Sequence, residues 1–146
     1  IQLHGVKILL FHGQSIEDVV AMTPGLRVDR PASAMKLLLR ARHLAPIYGR
    51  RTPITPLKED VLVIEEVPDI FHSGHMHVLD SDRYRGTLLV NSGTWQSQTS
   101  YQAHMGVIPN PALAPIVNLS TLDLIARDFQ QIQRSEPTTG SFEKIS

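Results

Sequence analysis

The segment Val6-Lys7-Ile8-Leu9-Leu10-Phe11 constrains the fold more than any other. It is a short, almost continuous apolar run that stops at His12-Gly13. Apolar side chains without strict alternation mark a strand buried in an α/β sheet rather than one with a solvated face. Ser15-Ile16-Glu17-Asp18 has the Ser-x-x-acid form of a helix N-cap, and Thr23-Pro24-Gly25 ends the helix it opens. A second helix is expected from Pro31 to about His43, closed by Ala45-Pro46. Pro46, Gly49, Pro53 and Pro56 predict an ordered loop with a restricted backbone. Strand-like runs follow at Val61–Glu65, Asp69–Ser73, Met76–Leu79 and Thr87–Asn91. Pro115–Leu119 and Leu122–Phe129 predict one more pair, turning at Ser120-Thr121. Residues 131–146 are polar and predict a flexible tail, which leaves 1–130 as the folded part. Strand, two helices, then several strands make an α/β (α+β) layered domain.

The chain has 146 residues, a length that suits one compact domain or a part of a larger one. Because it begins at Ile1, inside an apparent element, it is expected to start mid-domain. With no cysteine, a disulfide scaffold, a Cys-ligated zinc site and a thiol nucleophile are all excluded. No apolar run approaches the ~20 residues of a membrane span, and the N-terminus has no signal-like pattern. Fourteen basic and fourteen acidic residues cancel, but unevenly. Residues 1–58 carry nine basic and three acidic groups, and residues 59–146 carry five and eleven, a +6/−6 split. Such asymmetry points to a charged partner.

Phe71-His72-Ser73-Gly74-His75-Met76-His77 places three of the seven histidines within six positions. Neutral imidazoles suit divalent transition metals. On an extended backbone, residues two apart share a face at roughly 6–7 Å, a spacing suited to two ions about 3.5–4 Å apart. Gly74 leaves room for the backbone beside such ions. The other reading is a set of ordinary strand-end histidines. His12 ends the first strand, where α/β sheets place ligand groups. Asn91 and Ser92, after another apolar strand, could hydrogen-bond ligand imidazoles from behind or form a plain turn. Trp95 is expected to be a packing anchor. Arg42, Arg50 and Arg51 gather at a helix end and the proline loop, with guanidinium forks suited to phosphate or to an acidic protein surface; a solvated surface is the alternative. Carboxylates that would bridge two ions are missing: there is no Asp-x-His, Gly-Asp-x-x-Asp or Gly-Asn-His. Neither is there a Gly-x-x-x-x-Gly-Lys, a Gly-x-Ser-x-Gly or a His-Glu-x-x-His.

Ser73-Gly74-His75-Met76-His77 resembles the final Gly-His-x-His motif of calcineurin-like metallophosphoesterases. The wider text at His4–Val20, Arg42–Pro56, Val67–His77 and Tyr84–Gln102 is similar to the small subunit of archaeal family-D DNA polymerase, over about His4–Phe129. That resemblance implies the C-terminal part of a metallophosphoesterase two-sheet sandwich flanked by helices. It implies a proofreading 3′→5′ exonuclease subunit hydrolysing DNA phosphodiesters at two divalent ions, manganese or magnesium, with iron or zinc as alternatives. It implies His12 and His75 on one ion and His77 on the other, with His72 at most behind them. The implied partners are DNA and a large catalytic polymerase subunit, in an archaeal cytoplasm near the nucleoid and with no membrane. The family's carboxylate motifs lie N-terminal to these residues, so this chain alone is expected to bind metal weakly and cleave nothing. Two other readings stay open: a non-catalytic scaffold subunit of a DNA polymerase, and another phosphoesterase of the same superfamily.

Overall fold

Val6–Phe11 forms strand β2 in the computed structural model, which describes residues 1–104 and 106–130. The two-residue strand β1 (Gln2–Leu3) precedes it, and helices α1 (Gln14–Met22) and α2 (Pro31–Ala41) follow. Then come β3 (Ile70–Ser73), β4 (Asp80–Tyr84), β5 (Thr87–Asn91), the short helix α3 (Ser100–His104) and the hairpin β6 (Leu113–Val117) and β7 (Leu124–Asp128). The flexible tail expected at 131–146 lies outside the described residues.

The main sheet runs β1-β2-β3-β5-β4, with β2, β3 and β5 mutually parallel and β1 and β4 antiparallel at the edges. Alternation along the strands sends side chains to two faces. Phe71 and Leu89 are fully buried with Ile16, Met35 and Leu38 of the helices. On the other face, Ile70, Leu88 and Val90 pack with Val117, Leu119, Leu122 and Leu124 of the hairpin region. Helices, a five-stranded sheet and a two-stranded sheet therefore stack around two apolar layers: an α+β sandwich. Each fully buried Leu, Ile or Phe contributes about 1.5–3 kcal/mol of transfer free energy. Met35 and Leu38 of α2 and Phe71 of β3 join helices and sheet through the first layer.

Several local expectations are corrected. Strand β2 is only half-buried, with Leu10 56% exposed. The two-residue β1 pairs only with Val6 and Lys7, so Leu9–Phe11 have a strand on one side alone. Ser15 does not cap α1. Gly13 holds the N-cap position at φ 105°, and Ser15 sits inside the helix with its hydroxyl donating to the Leu44 carbonyl. Helix α2 stops at Arg42, whose left-handed backbone (φ 55°) returns its N–H to Leu38 and Leu39 carbonyls, before Ala45-Pro46. Val61–Glu65 makes one isolated bridge, Val63 to His43, and is no strand. Met76–Leu79 is not a strand either, because His75 and His77 adopt φ 64° and 58°. The polar run Asp80–Tyr84 becomes strand β4 at the antiparallel edge of the sheet, where one face meets water.

Two glycines beside each other in space have different requirements. A Cβ on Gly13 would lie 3.0 Å from the Gly74 carbonyl oxygen and require a left-handed backbone, whereas one on Gly74 would meet only ordinary contacts at 3.8–3.9 Å. Gly13→Ala is expected to destabilise the chain by about 1–3 kcal/mol, and Gly74→Ala by less than about 0.5 kcal/mol. Urea unfolding midpoints of the two variants check this contrast.

Candidate functional site

The parallel strands end in register. Phe11 pairs with Ser73 and Ser73 with Asn91, so the next residues, His12, Gly74 and Ser92, share the carboxyl edge of the sheet. That edge is where open α/β sheets form ligand crevices. The Gly74 N–H donates to the His12 carbonyl at 3.1 Å, and the Ser92 N–H to the Ser73 carbonyl at 2.9 Å, which extends the alignment one residue beyond the strands.

Left-handed backbone at His75 turns its ring towards His12. His75 Nδ1 and His12 Nε2 stand 2.9 Å apart, with ring centroids 4.7 Å apart in an edge-on arrangement. The second nitrogen, His75 Nε2, is buried without a hydrogen-bond partner, and the Glu17 carboxylate of α1 stands 3.3 Å from it. Burial pushes the His75 imidazole below its usual range. The Glu17 carboxylate opposes that shift, while the charges of His12 and His77 add to it. A neutral ring offers a lone pair to a divalent ion. Two nitrogens each ~2.1 Å from one ion, at a right angle, are about 3.0 Å apart. The 2.9 Å pair therefore fits the donor spacing of one metal ion. Among the described residues no group of three or more His, Cys, Asp or Glu is arranged to hold a metal ion, so these side chains do not complete a coordination shell.

His77 is held differently. Its Nδ1 lies 2.6 Å from Nε2 of Gln102, and its carbonyl accepts from the Asn110 N–H at 2.9 Å. With φ 64° at His75 and 58° at His77, the two do not share the extended face that their spacing predicts. His75, Met76 and His77 line a cavity of about 420 Å³ together with Glu17, Asp18, Arg51 and Gln102 among others. Arg51 reaches it because Asp18 pins the loop: the carboxylate accepts from the Arg51 N–H at 3.2 Å, the Thr52 N–H at 3.0 Å and the Thr52 hydroxyl at 2.6 Å. The Arg51 guanidinium then lies 3.5 Å from Glu17.

The other predicted residues separate by role. His72 bonds Ser92 Oγ at 3.1 Å, and burial lowers its pKa. Asn91 makes no side-chain hydrogen bond to a histidine among the described residues. It accepts from the Ser73 hydroxyl at 2.8 Å and donates to the Val78 carbonyl at 2.6 Å, bracing β3 and β5 from within. Arg42 is spent on the carbonyls of Ile64 and Glu65, which staples the end of α2 and removes its guanidinium from the pool that could meet a partner. Arg50 is exposed and makes no side-chain bond among the described residues. Trp95 is 72% exposed, with its ring 5.5 Å from Phe129, and is no buried anchor. Much of the charge split is closed internally, because Lys7–Glu66, Arg30–Asp80 and Lys36–Asp82 join the basic half to the acidic one. Glu17 and Gln102 went unpredicted. Glu17 faces His75 from the helix that Gly13 starts, a placement with no local signature. Gln102 had one, since Thr99-Ser100-Tyr101-Gln102 has the form of a capping box.

Burial alone would raise the Asp18 carboxyl, but the Thr52 and Arg51 bonds and the Arg51 charge outweigh it and hold the pKa below the usual value. Asp18→Asn places an amide against those donors and is expected to cost about 1–3 kcal/mol. Because the folded pKa is depressed, the advantage over the variant is full above the unfolded value of about 3.9 and is lost as pH falls through the folded one. Thermal unfolding from pH 7 to pH 2.5 checks both size and direction.

No family model matches the chain. Curated proteins named DNA polymerase II small subunit do match. The one from Pyrococcus furiosus is 50% identical over 125 residues, covering 86% of this chain and 20% of that protein. The one from Archaeoglobus fulgidus is 50% identical over 111 residues, 76% of this chain and 23% of its own length. For Halobacterium salinarum the figures are 44% over 131 residues, 88% and 26%. The chain thus spans about a fifth to a quarter of the curated relatives it matches. At that level of identity over most of its residues, the chain is similar to a segment of these archaeal DNA polymerase II small subunits, in keeping with the family-D resemblance of its own motifs.

Proposed function

We propose that this chain is the part of a DNA polymerase small subunit that contributes imidazole ligands to a metal-dependent 3′→5′ exonuclease site. The observation that carries the reading is the His12–His75 pair, 2.9 Å between nitrogens, at the aligned ends of β2 and β3. His12 and His75 would hold one divalent ion, manganese or magnesium, with iron or zinc as alternatives. A second ion needs ligands beyond those described. Divalent ions at such a site supply the positive charge that stabilises a phosphodiester under hydrolysis. The chain's own residues do the remaining work. The Glu17 carboxylate, 3.3 Å from His75 Nε2, would take a hydrogen bond from that nitrogen once Nδ1 held an ion, and so orient the ring. Arg51, tethered by Asp18, presents a guanidinium to phosphate oxygens in the cavity. The hairpin and its apolar layer hold β3 and β5 against shift.

The partner of this reading is the large catalytic subunit of a family-D polymerase, with DNA as substrate. Exposed Arg50 is the side chain free to meet an acidic surface or DNA, while Arg42 is withdrawn from that role by its own carbonyl bonds. No helix among the described residues is long and apolar enough to cross a membrane.

In the full-length subunit assembled with its partner, His75→Ala is expected to reduce manganese-dependent 3′→5′ degradation of single-stranded or mismatched DNA by at least about 100-fold. Unchanged degradation would favour the scaffold reading. Arg50→Glu is expected to weaken subunit assembly or DNA binding by up to about tenfold at low salt and less at high salt, measured by titration at two ionic strengths.

A further inference from the structure

Gln102 decides what His77 offers the cavity. The residue belongs to a capping box at the start of α3: the Gln102 N–H donates to Thr99 Oγ1 at 3.2 Å, and the Thr99 N–H donates to Gln102 Oε1 at 3.0 Å. That second bond orients the side-chain amide. Exchanging oxygen and nitrogen would set an NH₂ against the Thr99 N–H, two donors facing each other. The amide NH₂ is therefore the group that meets His77 Nδ1 at 2.6 Å. An NH₂ only donates, so Nδ1 must accept. In a neutral imidazole with an accepting Nδ1, the proton resides on Nε2. His77 Nε2 has no acceptor among the described residues, and the ring lines the same cavity as Arg51.

We propose that Gln102 locks His77 as its Nε2–H tautomer, so that the ring donates a hydrogen bond to a phosphodiester oxygen and is not a ligand of a metal ion. The inference rests on the phosphodiesterase reading for its substrate class, and on the hydrogen bonds alone for the tautomer. His77 thereby differs in kind from His75, whose Nδ1 faces another imidazole and whose Nε2 is unpartnered. Gln102 is a positioning residue acting through His77, while the Asn110 backbone N–H donates to the His77 backbone carbonyl at 2.9 Å and holds the chain beneath the ring. The resemblance had placed His77 on a metal ion; the amide network argues against that role.

The test is side-chain nitrogen NMR on the ¹⁵N-histidine-labelled 146-residue chain at pH 8, with His77 signals assigned by loss in His77→Gln. The expected pattern is a protonated-type Nε2 and an unprotonated-type Nδ1. Gln102→Glu keeps the capping box, since Glu serves at that position as well as Gln, but offers Nδ1 only an acceptor, so the two signals should exchange character. A protonated Nδ1 in the parent chain, or no exchange in Gln102→Glu, overturns the proposal. Zn²⁺ added to the parent chain should move the His12 and His75 signals and leave His77 in place, whereas a coordinated-type shift at His77 also overturns it. If Zn²⁺ moves no histidine, the metal reading fails in this chain while the tautomer stands on its own signals. In the assembled full-length protein, Gln102→Glu should lower DNA degradation about 10–100-fold, and undiminished degradation counts against the donor role.

Discussion

Register between three parallel strands is the constraint on which the rest of the structure depends. Because Phe11, Ser73 and Asn91 lie side by side, the residues that follow them emerge at one level. A slip of one residue in β3 would turn Phe71 out of the helical layer and carry His75 away from His12. Register is in turn held by burial on both faces: Phe71 and Leu89 against the helices, Ile70, Leu88 and Val90 against the hairpin. The hydrophobic layers and the histidine pair are two consequences of one alignment.

Beneath the histidines lies a polar brace that is fully buried and fully satisfied. The Ser73 hydroxyl reaches Met35 Sδ and Asn91 Oδ1, and the Asn91 amide reaches the Val78 carbonyl. Removing one partner would leave another polar group buried and unpaired, at a cost of about 1–3 kcal/mol. This brace sets the path of the chain from β3 through His75 and His77 to Val78. Asp18 performs a similar task on the opposite wall, where three donors from Arg51 and Thr52 bring a loop without regular structure up to the cavity. The walls of the cavity are therefore positioned by buried polar contacts, and its alignment by apolar ones.

Much of this was legible in the residues. The strand at Val6–Phe11 (though not its full burial), the Pro31 helix start, the Thr87–Asn91 strand and the hairpin expected at Pro115–Leu119 and Leu122–Phe129 carry strong periodic or composition signals and form, the last within two residues of those bounds. His12 and His75 were singled out from glycine-flanked positions after apolar strands, and the structure brings their rings together. What was not legible depended on tertiary context. The acidic strand Asp80–Tyr84 forms because it pairs with the edge of β5. The turn conformations of His75 and His77 overrule an apparently extended segment. Ser15 has the identity of a cap, but Gly13 already occupies that position and the Leu44 carbonyl takes its hydroxyl. Arg42 looked like a surface cation because nothing local reveals that the carbonyls of Ile64 and Glu65 fold back onto it. Glu17 shows the same limit from the other side, a carboxylate at the site that only the packing of α1 brings there.

In the proposed site, the aligned ends of β2 and β3 form one corner of a metal centre through His12 and His75. Anomalous diffraction at the manganese edge, from crystals of the full-length small subunit grown with Mn²⁺, tests it most directly. The account predicts an anomalous peak about 2.0–2.3 Å from both His12 Nε2 and His75 Nδ1. A peak bound elsewhere, or a His12–His75 pair still in direct contact with no peak at saturating Mn²⁺, would contradict it.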